Sequence, residues 1–260
     1  MSDPRQWHDL VPRVLSGVAI GVAGLVALWL GGWVFTIVAC TVCGLMAWEN
    51  ARMFAAPAPM QDGALAGGAL LLLAALLPGI FALPILAASA VVTAARAGRD
   101  KPLCFCVHIW ILLACLALVV LRGQAGLASI LWLVAVVVAT DVAGYFFGRS
   151  LGGPKFWPAV SPKKTWSGTI GGWVAAAIAG AIFAGPTGAG LALVLVSVLV
   201  SFASQMGDIA QSAVKRRAGV KDSSNLIPGH GGVFDRFDGL LGGAAIAMLL
   251  WALNVISHTA

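Results

Sequence analysis

Residues Ser212 to Asp238 read SAVKRRAGVKDSSNLIPGHGGVFDRFD, a charged stretch in a chain of otherwise mostly apolar segments. Three of the chain's ten acidic residues and five of its sixteen Lys and Arg residues lie here. Acidic side chains can hold a divalent cation, basic side chains can hold phosphate oxygens, and glycines let backbone N–H groups approach a substrate. The stretch therefore predicts a metal-assisted phosphate site.

The composition around this stretch is that of an integral membrane protein. Hydrophobic residues make up 60% of the chain and charged residues 10%, and the mean hydropathy is +0.95. Soluble domains carry about 25% charged residues. The apolar runs are long and do not alternate, which favours helices over the short alternating strands of a membrane barrel. The predicted fold class is an all-α polytopic membrane protein.

Nine membrane-spanning helices are predicted, with the break between the third and fourth placed at Pro78-Gly79. Nine spans put fifteen of the sixteen Lys and Arg residues on one side of the membrane and only Arg122 on the other. This bias predicts that the N-terminus and the polar site face the cytoplasm. The predicted spans are 14–31, 33–48, 64–77, 79–95, 103–121, 126–147, 168–185, 188–206 and 239–256.

Two regions are expected from the distribution of polar residues: scaffold helices over 1–125 and a catalytic region over 126–260. The polar N-terminus runs into an apolar segment without a small-residue cleavage site, so no cleavable signal is expected. The expected location is the bacterial inner membrane. The net charge of +6 comes from cations in loops between apolar runs, which favours membrane topology and a phosphate site over nucleic-acid binding.

Polar residues inside or beside the spans are the first candidates for the site. Asp141 lies within the sixth span, where a carboxylate is costly and usually faces a cavity. Glu49, at the inner end of the second span, is either an interfacial cap or a group that supports the site. Glycine pairs at 31–32, 67–68 and 171–172 are expected to let helices approach closely.

Two further groups of candidates flank the last three spans. Lys163, Lys164 and Thr165 precede a predicted helix, and a helix start beside two lysines favours an anion. Asp208, Ser212 and Lys215 share one face if the eighth helix continues beyond the membrane. The remaining candidates are Arg216, Lys221, Asp222, His230, Gly231, Gly232, Asp235, Arg236 and Asp238.

At these positions the chain resembles the phosphatidate cytidylyltransferases, or CDP-diacylglycerol synthases. The family signature is Ser-x-apolar-Lys-Arg, four residues, Lys-Asp, and a turn ending His-Gly-Gly-apolar-x-Asp-Arg-apolar-Asp. It is matched throughout Ser212 to Asp238. Further matches are Tyr145 to Arg149, Ser161 to Trp166 and Gly207-Asp208. Two positions depart from the typical pattern: Ser167 stands where a Glu is usual, and Gly152-Gly153 where Gly-Lys is common.

The resemblance implies attack of a phosphatidate oxygen on the α-phosphorus of CTP, with Mg²⁺ held by Asp208 and Asp235. We expect Lys215, Arg216, Asp222, Arg236 and Asp238 to be catalytic. The residues expected to bind substrate are Lys163, Lys164, Thr165, Ser212, Lys221, His230, Gly231, Gly232 and Asp141. The expected partners are CTP, phosphatidate or a related lipid phosphate, the bilayer, and in one alternative a second copy of the chain.

Two alternative functions remain open from the sequence. The same chemistry could act on another phospholipid or a polyprenyl phosphate. A transporter or flippase could instead use Asp141 and Asp208 as intramembrane coupling sites. A transporter is expected to show repeat symmetry between its halves, and the sequence shows none.

Overall fold

The computed structural model describes residues 10–76, 79–158, 160–227 and 229–253, and this part of the chain is mostly helical. Nine α-helices are present within these ranges, one at each predicted span. They are α1 Leu10–Leu30, α2 Gly32–Met53, α3 Pro59–Leu76, α4 Ala82–Arg96, α5 Lys101–Gln124, α6 Gly126–Leu151, α7 Trp166–Phe183, α8 Ala192–Arg217 and α9 Phe234–Ala252. The prediction of a helical membrane protein is confirmed.

Five of these helices, namely α2, α5, α6, α7 and α8, are long and apolar enough to cross a membrane. Two shorter apolar segments, Gly17–Leu30 and Ala82–Arg96, lie within α1 and α4. A 3₁₀ turn over Gly79–Phe81 leads into α4. Pro78, the other half of the predicted break, lies outside the described residues.

The loop after α6 contains a feature that the sequence did not predict, a short antiparallel hairpin. Strand β1 is Lys155–Trp157 and strand β2 is Ser161–Thr165, with Lys155 opposite Thr165 and Trp157 opposite Ser161. The loop contains Pro154, Pro158 and Pro162, which exclude a continuous helix. Proline also suits an edge strand, because its missing N–H is not needed on the unpaired side.

The chain divides into two compact units. The first unit comprises Met1–Leu112 and Lys215–Phe237, and the second comprises Leu113–Val214 and Asp238–Ala260. Most of the signature stretch therefore belongs to the same unit as helices α1 to α4, although it is distant from them in sequence. The boundary expected at residue 125 stays a prediction.

In the first unit, α2 packs against α3 through glycines. A Cβ atom at Gly67 would lie 2.9 Å from the Cys40 carbonyl oxygen, and one at Gly63 would lie 2.6 Å from the Gly44 carbonyl oxygen. The close approach expected at Gly67 is thus confirmed, whereas Gly68 has nothing within 4 Å of its Cβ position. Only small residues allow two helix backbones to come this near.

In the second unit, hydrogen bonds between side chains tie α6 and α7 to α8. Trp132 Nε1 donates to Ser197 Oγ at 2.8 Å, and Thr140 Oγ1 donates to Ser201 Oγ at 2.8 Å. Gln205 Nε2 donates to the Thr169 carbonyl at 3.2 Å. Such bonds between membrane helices contribute roughly 0.6–2 kcal/mol each. They hold α6, α7 and α8 around the polar residues described next.

Candidate functional site

The second unit contains a cavity of about 460 Å³ lined by α6, β2, α7 and α8. Five predicted site residues line it: Asp141, Lys163, Lys164, Thr165 and Asp208. The structure therefore brings together residues that are up to 67 positions apart, from 141 to 208. The other lining residues are Thr140, Gly144, Tyr145, Gly148, Arg149, Gly168, Thr169 and Gln205.

An ion pair between Lys164 and Asp208 lies at this cavity. The Lys164 Nζ atom is 2.7 Å from Asp208 Oδ2 and also donates to the Gln205 carbonyl at 3.1 Å. The two side chains are 23% and 37% exposed, so solvent screens the pair only in part. The lysine holds the carboxylate at the cavity and keeps its own ammonium within reach of an anion that enters.

The junction between β2 and α7 is fixed by Thr165, which the sequence predicted to bind substrate. Its Oγ1 caps the helix by accepting from Gly168 N at 3.2 Å, and its carbonyl accepts from Thr169 Oγ1 at 3.1 Å. Capping satisfies an N–H group at the helix start that has no partner within the helix. The predicted helix start beside the two lysines is confirmed, with α7 beginning at Trp166.

Ser167, which stands where the family usually has Glu, contacts the glycine that precedes the other departure, Gly153. Ser167 Oγ donates to the Gly152 carbonyl at 2.5 Å and lies 3.0 Å from Thr165 Oγ1. Gly152 has a φ of 60°, which favours glycine. The serine therefore ties the end of α6 to the start of α7 at the edge of the cavity.

Helix α8 is continuous through Arg217, as predicted, and carries Asp208, Ser212 and Lys215. Ser212 is half-buried in the second unit, where Asp238 also lies. Asp238 Oδ1 accepts from Gly239 N at 2.8 Å. A Cβ atom at Gly207 would lie 2.5 Å from the Asp238 carbonyl oxygen, so the glycine beside Asp208 lets α9 approach α8.

The first unit contains a second cavity, of about 490 Å³. Five predicted residues line it, namely Lys221, Asp222, His230, Gly231 and Arg236, together with Asn225, Ile227 and Gly229. Two backbone hydrogen bonds close the turn, from Ile227 N to the Gly231 carbonyl at 2.8 Å and from His230 N to the Ile227 carbonyl at 2.9 Å. Lys221 and Arg236 are both exposed, and their cationic groups suit a phosphate.

Beside this cavity Lys215 and Asp235 form a buried ion pair. Lys215 Nζ is 2.7 Å from Asp235 Oδ1, and the side chains are 16% and 4% exposed. The other carboxylate oxygen of Asp235 accepts from Ser223 N at 2.8 Å, Ser223 Oγ at 3.0 Å and Gly232 N at 2.9 Å. Asp235 therefore holds the turn together in addition to any role as a ligand. The next cation of α8, Arg216, is exposed.

Glu49, for which the sequence left open an interfacial cap or a site-supporting group, contacts the turn beside the second cavity. It is fully buried at the end of α2. Its Oε1 accepts from Ser224 Oγ at 2.5 Å and Val233 N at 2.8 Å, and its Oε2 accepts from Ser223 Oγ at 3.1 Å and Phe234 N at 2.7 Å. The two serines were not singled out from the sequence, because nothing local marks them as partners of an acid over 170 positions away.

The carboxylate oxygens near Asp208 suit the expected Mg²⁺ better than those of Asp235. Asp208 and Asp141 both line the cavity of the second unit, and carboxylate oxygens are the ligands Mg²⁺ prefers. A Mg²⁺ ion at Asp235 would share oxygens that already accept from Lys215 and the turn. Among the residues that the structure describes, no three His, Cys, Asp or Glu side chains cluster closely enough to hold a metal ion.

Comparison with known proteins identifies the family of the chain. The model of the Cytidylyltransferase family matches residues 11–254. The chain is 38% identical to the phosphatidate cytidylyltransferase of Brucella suis biovar 1 (strain 1330), over 94% of each protein. The enzyme of that name from Bacillus subtilis (strain 168) is 44% identical over 45% of each protein. The one from Helicobacter pylori (strain J99 / ATCC 700824) is 42% identical over 52% of each protein. The chain belongs to the cytidylyltransferase family.

Proposed function

We propose that the protein transfers CMP from CTP to phosphatidate, giving CDP-diacylglycerol and pyrophosphate. A phosphate oxygen of phosphatidate attacks the α-phosphorus of CTP, the bond to the bridging oxygen of the β-phosphate breaks, and pyrophosphate leaves with the electron pair. The observation that carries this proposal is the 38% identity over 94% of the chain to phosphatidate cytidylyltransferases. Family membership also favours an enzyme over the transporter alternative.

The residues at the two cavities suit this chemistry. The phosphate of the lipid is already an oxyanion near neutral pH, so the reaction needs alignment and charge neutralisation more than a strong base. Lys163 and Lys164 in the second unit are proposed to hold the triphosphate. Lys221 and Arg236, which line the cavity of the first unit, are proposed to bind phosphate oxygens.

Lys215 is proposed to stabilise the charge that develops on the transferring phosphate, a role in which a partly buried ammonium is more effective than an exposed one. Arg216, Asp222 and Asp238 keep their proposed catalytic roles, and Ser212, His230 and Gly231 their proposed substrate contacts. Gly232 is buried against Ser223 and Glu49 and is not among the residues that line the cavity, so its proposed role is to shape the turn. Asp208 and Asp235 are each proposed as Mg²⁺ ligands. When bound, Mg²⁺ would neutralise charge on the triphosphate.

We also propose that all nine helices span the membrane, with the N-terminus and the phosphate-binding loops on the cytoplasmic side of a bacterial inner membrane. Helix α8 has 26 residues and is about 39 Å long at 1.5 Å per residue, which exceeds a ~30 Å hydrocarbon core. Its final turns can therefore carry Lys215, Arg216 and Arg217 into the water at the membrane surface.

The activity is tested by giving the purified protein Mg²⁺, phosphatidate in detergent micelles, and CTP labelled in the α-phosphate. We expect label in a CDP-lipid, and CTP labelled in the γ-phosphate should instead yield labelled pyrophosphate. Other lipid phosphates, including a polyprenyl phosphate, are tested in parallel and should be poorer substrates. If no lipid phosphate gives a CDP-lipid, the proposed function is wrong.

The metal assignment is tested with Asp208→Asn and Asp235→Asn. Each variant should lose nearly all activity while remaining folded in the membrane, because an amide is a weaker ligand for Mg²⁺ than a carboxylate. Product formation is measured across a series of Mg²⁺ concentrations. Asp100→Asn is the control, because Asp100 pairs with Arg217 outside both cavities and should keep normal activity. Near-normal turnover of either site variant at low Mg²⁺ would show that its ligand assignment is wrong.

The topology is tested by cysteine labelling of intact cells, in a background without the native cysteines. Gly123→Cys and Gly185→Cys should react with a membrane-impermeant reagent, and both positions have open space around a Cβ atom. Lys155→Cys and Leu226→Cys, which replace exposed residues, should react only after the membrane is permeabilised. Labelling of Lys155→Cys from outside would contradict the nine-span arrangement.

A further inference from the structure

We propose that Glu49 is a positioning residue that fixes the phosphate-binding turn of the first unit from behind, and so sets how tightly that cavity binds a phosphate-bearing substrate. This inference rests on the proposed function for its kinetic test. The turn is Lys221 to Arg236, and Glu49 belongs to a helix more than 160 residues earlier in the chain.

The Glu49 carboxylate is surrounded by hydrogen-bond donors from the turn. Four donor groups lie within 2.5–3.1 Å of Glu49, two at each oxygen. One of them, the Ser223 hydroxyl, shares its single proton between Glu49 Oε2 and Asp235 Oδ2. Two of them are the hydroxyls of Ser223 and Ser224, at the beginning of the turn. The other two are the backbone N–H groups of Val233 and Phe234, at its end. One side chain therefore fixes both ends of the turn at once.

Glu49 also binds the start of α9. Phe234 is the first residue of that helix, so its N–H group and that of Val233 have no acceptor within the helix. Glu49 supplies the acceptor from a different helix, and its negative charge is favoured at a helix N-terminus. The carboxylate thereby fixes where α9 begins and where Arg236, two residues further on, leaves the turn.

The turn has one side that is buried and another side that lines the cavity. Glu49, Ser223, Ser224 and Gly232 are buried on the inner side, where a Cβ atom added to Gly232 would collide with Glu49 Oε1 and Ser223 Oγ. Lys221, His230 and Arg236 line the cavity on the other side. Glu49 is not among the residues that line the cavity, so it acts on a substrate through the turn.

The hydrogen-bond donors around Glu49 require a carboxylate, and not an amide, at this position. A hydroxyl can accept as well as donate, but a backbone N–H group can only donate. One backbone N–H group approaches each oxygen of Glu49. In Glu49→Gln, the amide nitrogen would therefore face a donor in either orientation of the side chain. A glutamine fills the same volume but cannot hold both ends of the turn.

The experiment compares Glu49→Gln, Ser224→Ala and Asp62→Asn with the wild type in steady-state kinetics, varying CTP and phosphatidate separately. Glu49→Gln should raise the KM of one substrate about tenfold or more with a smaller change in kcat, because uniform binding is lost. Ser224→Ala removes one donor of four and should shift the same KM in the same direction by less. Which KM rises identifies the phosphate, nucleotide or lipid, that this cavity holds.

Asp62→Asn is the matched control, because Asp62 is also a fully buried acid of the first unit, paired with Arg96 at 3.2 Å and not with the turn. It should leave both KM values unchanged. If Glu49→Gln does not fold, Ser224→Ala still tests the inference. Unchanged KM values in both variants, or a fall in kcat alone, would overturn it.

A measurement without turnover separates this inference from the proposed function. Binding of CTP and of pyrophosphate to the purified wild type and variants is measured by calorimetry without lipid. Weaker binding of either probe by Glu49→Gln supports the positioning role even if the wild type makes no CDP-lipid. Equal binding by all variants, together with equal KM values, contradicts it.

Discussion

The interaction on which the first unit depends is the set of four hydrogen bonds to the buried carboxylate of Glu49. A charged group removed from water is stable only if donors surround it, and each buried donor left without an acceptor costs roughly 1–3 kcal/mol. The Glu49 carboxylate thus needs the donors of the turn, and those buried donors need the carboxylate as their acceptor. The glycine at 232 follows from the same constraint, because the space that a side chain would need is occupied by Glu49 and Ser223.

The same constraint explains how the other charges of the site are held. Lys164 pairs with Asp208 in the second unit, and Lys215 pairs with Asp235 in the first, each at 2.7 Å. In both pairs a second contact fixes one partner, the Gln205 carbonyl for Lys164 and the turn for Asp235. A lysine and a carboxylate in fixed positions therefore line the cavity of the second unit and lie beside the cavity of the first, as a site that neutralises phosphate charge needs.

The helices and the membrane class could be predicted because apolar length and periodicity are local properties of the sequence. The continuation of α8 through Lys215 lies beyond the predicted span, which ends at 206, because the added turns are polar and carry no apolar signal. The hairpin could not be predicted, because its prolines exclude a helix without specifying a strand. The partners of Glu49 could not be found, because a bond across 174–185 residues leaves no local pattern. The position of Glu49 at the inner end of a predicted span was the signal in the sequence that it could support a site.

The central claim, that Glu49 holds the turn, is tested most directly by amide hydrogen exchange of the protein in lipid nanodiscs. In the wild type, the Val233 and Phe234 amides should exchange slowly because they donate to a buried carboxylate. In Glu49→Gln at least one of them should exchange faster, while amides of α7 in the second unit stay unchanged. Equal protection of both amides in the two proteins would contradict the account.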